Sequence, residues 1–218
     1  QRTAEFDGFI AAQSPTAKLD RVPMMRGRIT ALNDVPADQV RAPDRAGWIL
    51  EGDRGITYAA RLPEGSSLVQ GQWWSPDHRG EPLVSFDDEL AGALGLKLGD
   101  TVTVNVLGRN ITARIANTRR IDWRNLGINF VMVFSPNAFA GAPHTHLATM
   151  TVDGGTTTQA DASLLRELGR AFPAVTAVRV KDALDAANDL VARLGFAIRA
   201  SSLIAIAASL LVLAAIAM

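Results

Sequence analysis

His144 and His146, in GAPHTHLA, have a spacing that could bind a metal with a third ligand from elsewhere in the chain. An HxH pair in a loop is common by chance, so a structural or incidental role is the expectation and no metal is assigned. His78 stands in the hydrophilic loop PDHRGEP and is expected to be solvated. Gly99-Asp100, in GLKLGD, could offer a carboxylate for acid–base work. A turn explains it better, because Asp bonds its own neighbouring backbone. The chain has no Cys, which removes thiolate metal sites, cysteine nucleophiles and disulfides. It has neither the GxSxG elbow of α/β-hydrolases nor the GxxxxGK[ST] loop that cradles phosphates. No catalytic residue is assigned.

Aromatic and basic residues suggest contact rather than chemistry. Trp73 and Trp74 are adjacent in a loop-like context, and Trp123 lies among Arg119, Arg120, Asp122 and Arg124. Structurally, one indole of the pair would plug the core and its neighbour would cap an edge. Functionally, Trp73, Trp74, Trp123 and Arg124 are candidates for an exposed patch that binds a partner protein or lipid.

The chain that must position these groups has 218 residues, 48% hydrophobic and 20% charged, with 22 basic and 22 acidic side chains. It is long enough for one or two domains with a real core and too apolar for disorder. Zero net charge argues against a general nucleic-acid partner. The chain starts at Gln1 and ends inside an apolar run, so it reads as a piece of a longer protein.

That run, ASSLIAIAASLLVLAAIAM at 200–218, has no charged residue, Gly or Pro. As a helix it would cover about 28 Å, close to the thickness of a bilayer's hydrocarbon. Ser202, Leu203, Ile206, Leu210, Leu211, Leu213 and Ile216 are the expected membrane-helix residues. Immediately before it, Leu184, Ala187, Leu190, Val191 and Leu194 recur at helical spacing. One continuous helix from 182 to 218 is expected, a stiff stalk running from water into lipid. Arg193 and Arg199 say little about sidedness, because the positive-inside tendency fails for large translocated domains.

The water-soluble part reads as short strands with a few helices that do not strictly alternate, an α+β class. The expected elements are a helix at 5–12, a strand at 22–32, a hairpin of 48–50 with 55–59, and a loop at 62–71. A short strand at 83–84 follows, then a helix at 87–94 capped by Ser85. Strands are expected at 101–107 and 111–118 around a turn at 108–110. Further strands are expected at 129–134, 146–152 and 175–180, with a helix at 163–172.

In this order, helix, GLKLGD turn, TVTVNV strand and GRNITARI return strand, the chain resembles the extracytoplasmic, MacB-like periplasmic domain of FtsX/MacB-type ABC transporter permeases, and most of all those of the YbbP type. The resemblance is carried by VPMMRGRI (22–29), GWILEGDRGITY (47–58), EGSSLVQGQWW (64–74), the long stretch at 84–136 and GAPHTHLAT (141–149). It implies a porter-like α+β subdomain from 1–43 plus 146–181 and an inserted, mostly-β subdomain at 44–145, followed by the stalk and membrane helix. It also implies a bacterial inner-membrane protein with this portion in the periplasm. ATP would bind and be hydrolysed in a separate cytoplasmic subunit, with no cofactor in this chain. The implied work is extraction or export of a hydrophobic or lipid-like compound, with a periplasmic thioesterase/lysophospholipase as a further partner. The alternative is a membrane-anchored regulator that activates such a hydrolase without transport.

Overall fold

Valine at every second position of TVTVNV is the clearest strand signal in the chain. A computed structural model describes residues 2–123, 127–152 and 158–180. In chain order the elements are α1 (Arg2–Gln13), β1 (Ala17–Leu32), β2 (Val35–Pro36), α2 (Asp44–Gly47), β3 (Arg54–Tyr58), β4 (Ser66–Gly71), β5 (Leu83–Asp87), α3 (Asp88–Ala93), β6 (Thr101–Val106), β7 (Arg109–Ile121), β8 (Met132–Phe134), β9 (Thr145–Val152) and α4 (Thr158–Ala171). The class is mixed α and β, dominated by one sheet.

The strand pairings close on themselves. β1 pairs with β3, β3 with β8, β8 with β5, β5 with β7, β7 with β6, and β6 returns to β1. The ring is therefore a barrel without a free edge, which is the surest protection against stray strand addition. β2 and β9 join it at β1, and β4 joins it at β7.

Alternation fills the barrel. Val102, Val104 and Val106 of β6 are at most 3% exposed and meet Ile29, Val84, Phe86, Ala113, Ile115 and Phe134 in the main core. Each of the valine, isoleucine and phenylalanine side chains contributes about 1.5–3 kcal/mol on burial. The outer face of the same hairpin is polar. Thr103 Oγ1 meets Thr112 Oγ1 at 2.9 Å, and Asn105 Nδ2 donates to Asn110 Oδ1 at 2.7 Å.

Several expectations need correction. β3 pairs with β1 and β8 rather than with 48–50, which instead follows the short helix α2. The segment read as a loop at 62–71 contains β4. Asp87, not Ser85, caps α3: its carboxylate accepts from the Leu90 amide at 3.0 Å. Ser85 is instead a fully buried strand residue. The β6–β7 turn is Leu107-Gly108, because Val106 pairs with Arg109. The segment 175–179 is not a strand, and Val178 is exposed. The expected stalk and membrane helix at 182–218 lies outside the described residues. Among the described residues, no helix is long and apolar enough to cross a membrane.

The chain divides into two compact units, Ala17–Thr151 and Gln1–Thr16 with Val152–Met218. This boundary differs from the expected 43/44 and 145/146 division, because β1 is hydrogen-bonded to β3 and β6 and so belongs with the barrel. In the smaller unit, the Phe172 ring meets Phe6 and Phe9 edge-on at 5.4 and 5.5 Å. Arg179 reaches Asp161 of α4 at 3.1 Å.

Leu107 sits in the left-handed region (φ 51), unusual for a long side chain, and is 67% exposed. That conformation costs a non-glycine residue about 1–2 kcal/mol, and asparagine tolerates it best. Leu107→Asn is therefore expected to raise the unfolding free energy by about 1 kcal/mol, measured by urea denaturation. A loss of stability would show that the leucine makes a contact its exposure hides.

Candidate functional site

Gly71 ends β4 in the left-handed region (φ 75) and turns the chain so that the two tryptophans fall back over the barrel's outer face. A second, smaller core lies there, of Trp74, Leu83, Phe130 and Val133. The indole rings of Trp73 and Trp74 lie 4.1 Å apart at 32°. Both ring N–H groups are satisfied by consecutive carbonyls: Trp74 Nε1 donates to Ala59 at 2.8 Å and Trp73 Nε1 to Ala60 at 3.1 Å. Trp74 is 6% exposed and Trp73 is half-buried. One ring thus plugs the small core while the other covers it.

Trp123 is in a different place. β4 and β7 are antiparallel, with Ser66 opposite Ile121 and Gly71 opposite Asn117. Trp123 therefore lies beyond one end of β4, and Trp73 beyond the other. Trp123 is 57% exposed; Arg124 lies outside the described residues. Between the two ends, β4 exposes Leu68 and Val69. Sequence reasoning missed these two, because SSLVQG sits among Pro, Glu and Gly and does not alternate. Trp123, Leu68 and Val69 are thus exposed, whereas Trp74 is buried and Trp73 half-buried.

A variant series separates the two roles. Trp74→Ala is expected to cost about 3–5 kcal/mol of stability by opening a cavity. Trp123→Ala is expected to change stability by less than about 0.5 kcal/mol. Chemical denaturation of both variants checks this, so Trp123→Ala is the substitution that can report partner binding without unfolding.

Arg119 is a correction to the expected basic cluster around Trp123, because it is 1% exposed. The register of β5 against β7 slips by one residue between Val84 and Ser85. Ser85 then faces Asn117 and Asp87 faces Arg119, and both Asn117 and Arg119 are buried. Arg119 Nη1 donates to the Ser85 carbonyl at 2.8 Å, to Ser85 Oγ at 3.1 Å and to the Val131 carbonyl at 3.4 Å, while Nη2 donates to the Phe130 carbonyl. The Asp87 amide adds a bond to the Val131 carbonyl at 3.1 Å. One guanidinium thus ties the chain before β8 to β5.

Burial lowers the Arg119 pKa to about 10, opposed by the charge of Asp87. Burial also raises the Asp87 pKa, against the Leu90 amide and the Arg119 charge, which lower it. Asn117 is fully buried and donates to the Gln72 carbonyl at 3.1 Å. Its carbonyl oxygen finds no partner among the described residues. These groups are built to hold a loop, and nothing in their arrangement forms a nucleophile–base pair.

The remaining candidates divide simply. Asp100 Oδ2 accepts from the Lys97 amide at 2.8 Å, which is the turn role. His78 Nε2 is 2.8 Å from the Glu81 carbonyl. His144 and His146 are exposed with ring centres 5.0 Å apart. Among the described residues, no group of three or more His, Asp or Glu side chains could share a metal ion.

No family model matches the chain. It is 30% identical over 154 residues to an uncharacterized ABC transporter permease, YbbP, of Escherichia coli K12; the match covers 71% of this chain and 17% of that protein. The chain therefore spans about a sixth of the length of this relative. A solved domain of a Porphyromonas gingivalis protein described as a permease aligns with a TM-score of 0.41 and 14% identity, covering 75% of this chain and 68% of that one. At that score the backbones agree only in part, so the relationship rests on the sequence match. Over most of its length, then, this chain is related in sequence to the ABC transporter permeases of the YbbP type.

Proposed function

We propose that this chain is the extracytoplasmic domain, with the start of a membrane helix, of an ABC transporter permease subunit in a bacterial inner membrane. The observation that supports it is the 30% identity to a permease across 71% of the chain. In this reading a cytoplasmic subunit binds and hydrolyses ATP. The apolar run at 200–218 crosses the membrane, and the stalk helix from 182 carries displacement to the domain in the periplasm. The cargo is a hydrophobic or lipid-like compound. A periplasmic thioesterase/lysophospholipase as a further partner rests on the family resemblance alone.

Reconstitution tests this. Vesicles holding the intact permease and its ATP-binding subunit should release a fluorescent lysophospholipid only with ATP. Release should fall at least tenfold when the ATP-binding subunit lacks its phosphate-binding lysine. Equal release without that subunit would defeat the reading.

A further inference from the structure

His144 and His146 flank Thr145, whose hydroxyl donates to the Met24 carbonyl at 3.1 Å and so pins this stretch to β1. Thr145 opens β9, and residues on either side of a strand position share a face. The two imidazole centres are 5.0 Å apart with their planes at 72°. Two imidazoles bound to one tetrahedral ion, each through a metal–nitrogen bond of about 2.0–2.1 Å, place their ring centres about 5 Å apart. The ring-centre separation fits that of a two-histidine chelate.

The His144 ring is also oriented in advance. Its Nδ1 is 3.0 Å from the Ala142 carbonyl. A carbonyl only accepts, so Nδ1 carries the proton and Nε2 keeps its lone pair. A backbone carbonyl on the far nitrogen is the arrangement that ordinarily orients a metal-ligating histidine. Tyr58, at the end of β3, meets the same ring edge-on at 5.8 Å and 89°, and is itself backed by Phe139 at 6.3 Å.

We propose that His144 and His146 form a surface chelate for a divalent transition-metal ion of the zinc, nickel or copper class. Two positions come from this chain, and the others are open to water or to a donor from another molecule. Imidazole nitrogen selects these ions over magnesium or calcium, which prefer oxygen. The site is independent of the transport reading, because it involves neither the stalk nor the ATP-binding subunit.

Calorimetric titration of the full chain with Ni2+, and separately with Zn2+, tests it. One saturable site per chain is expected, weakened at least tenfold in His144→Ala and in His146→Ala, with Mg2+ giving no saturable heat. Both histidines are exposed, so neither change should unfold the barrel, and circular dichroism of each variant checks that. Tyr58→Leu, which frees the His144 ring, should weaken binding by a smaller factor. Absence of a saturable site in the unaltered chain, or equal affinity in either histidine variant, overturns the proposal.

Discussion

Arg119→Met is expected to lower the unfolding free energy by about 3–5 kcal/mol at neutral pH. The lowered pKa of Arg119, about 10, shows that burial works against the cation itself, so removing the charge brings some relief. The larger effect comes from what the guanidinium leaves behind. The Phe130 carbonyl loses a donor, the Ser85 carbonyl and hydroxyl lose another, and the buried Asp87 carboxylate loses a cation whose charge favours its ionised form. An orphaned buried polar group costs about 1–3 kcal/mol, and more when it is charged, so the losses exceed the relief. Urea denaturation followed by tryptophan fluorescence measures the change, and a loss below about 1 kcal/mol would contradict it.

The pH dependence of that deficit follows from Asp87. Its folded pKa is already raised above 3.8 by burial, and losing the Arg119 charge raises it further. A carboxyl with a raised folded pKa binds its proton more tightly in the folded state than in the unfolded chain. Its contribution to stability is therefore full below the unfolded pKa and is lost as pH rises through the folded value. The deficit of Arg119→Met should be greatest at neutral pH and shrink as pH falls toward about 4. Adding Asp87→Asn, which keeps an α3 cap but removes the charge, should recover about 1–2 kcal/mol at neutral pH.

The two halves of this clamp were unequally legible in the sequence. The β6–β7 hairpin could be read because Val102, Val104 and Val106 alternate with threonine and asparagine, and because its pairing is local. Helix α3 could be read from its acidic first turn, although its cap was misplaced by two residues. The closure of the barrel could not be read, since β3 with β8 and β5 with β7 are parallel pairings between strands far apart in the chain, and nothing local encodes them. Arg119 was misplaced for a specific reason. Periodicity assumes a regular ladder, and the register slip between Val84 and Ser85 turns Asn117 and Arg119 to the face where Trp74 and Phe130 wait. β4 escaped notice because its residues are mostly exposed on both faces, so the burial pattern that marks a strand is missing. The tryptophan pair showed only that one ring should be inside. Which one depends on the turn at Gly71.

Gly71→Ala is expected to cost about 3 kcal/mol or more, and a comparison with Gly108→Ala shows why. Both glycines are in the left-handed region, at φ 75 and 81. Both substitutions therefore carry the backbone penalty of about 1–2 kcal/mol. A Cβ at Gly108 meets nothing within 4 Å, whereas a Cβ at Gly71 would lie 2.3 Å from the Ala116 carbonyl oxygen and 3.0 Å from the Asn117 Cα. Those are backbone atoms of β7 and cannot swing aside like a flexible side chain. Relief requires β4 and β7 to separate where Asn117 donates to the Gln72 carbonyl and where Trp74 enters its core. The loss in Gly71→Ala should exceed that in Gly108→Ala by about 1–3 kcal/mol, with a weakened near-ultraviolet dichroism from the displaced indoles. Equal losses would mean that the backbone strain alone matters and that β4 does not sit this close to β7. In that case the seat of the tryptophan pair would need another cause.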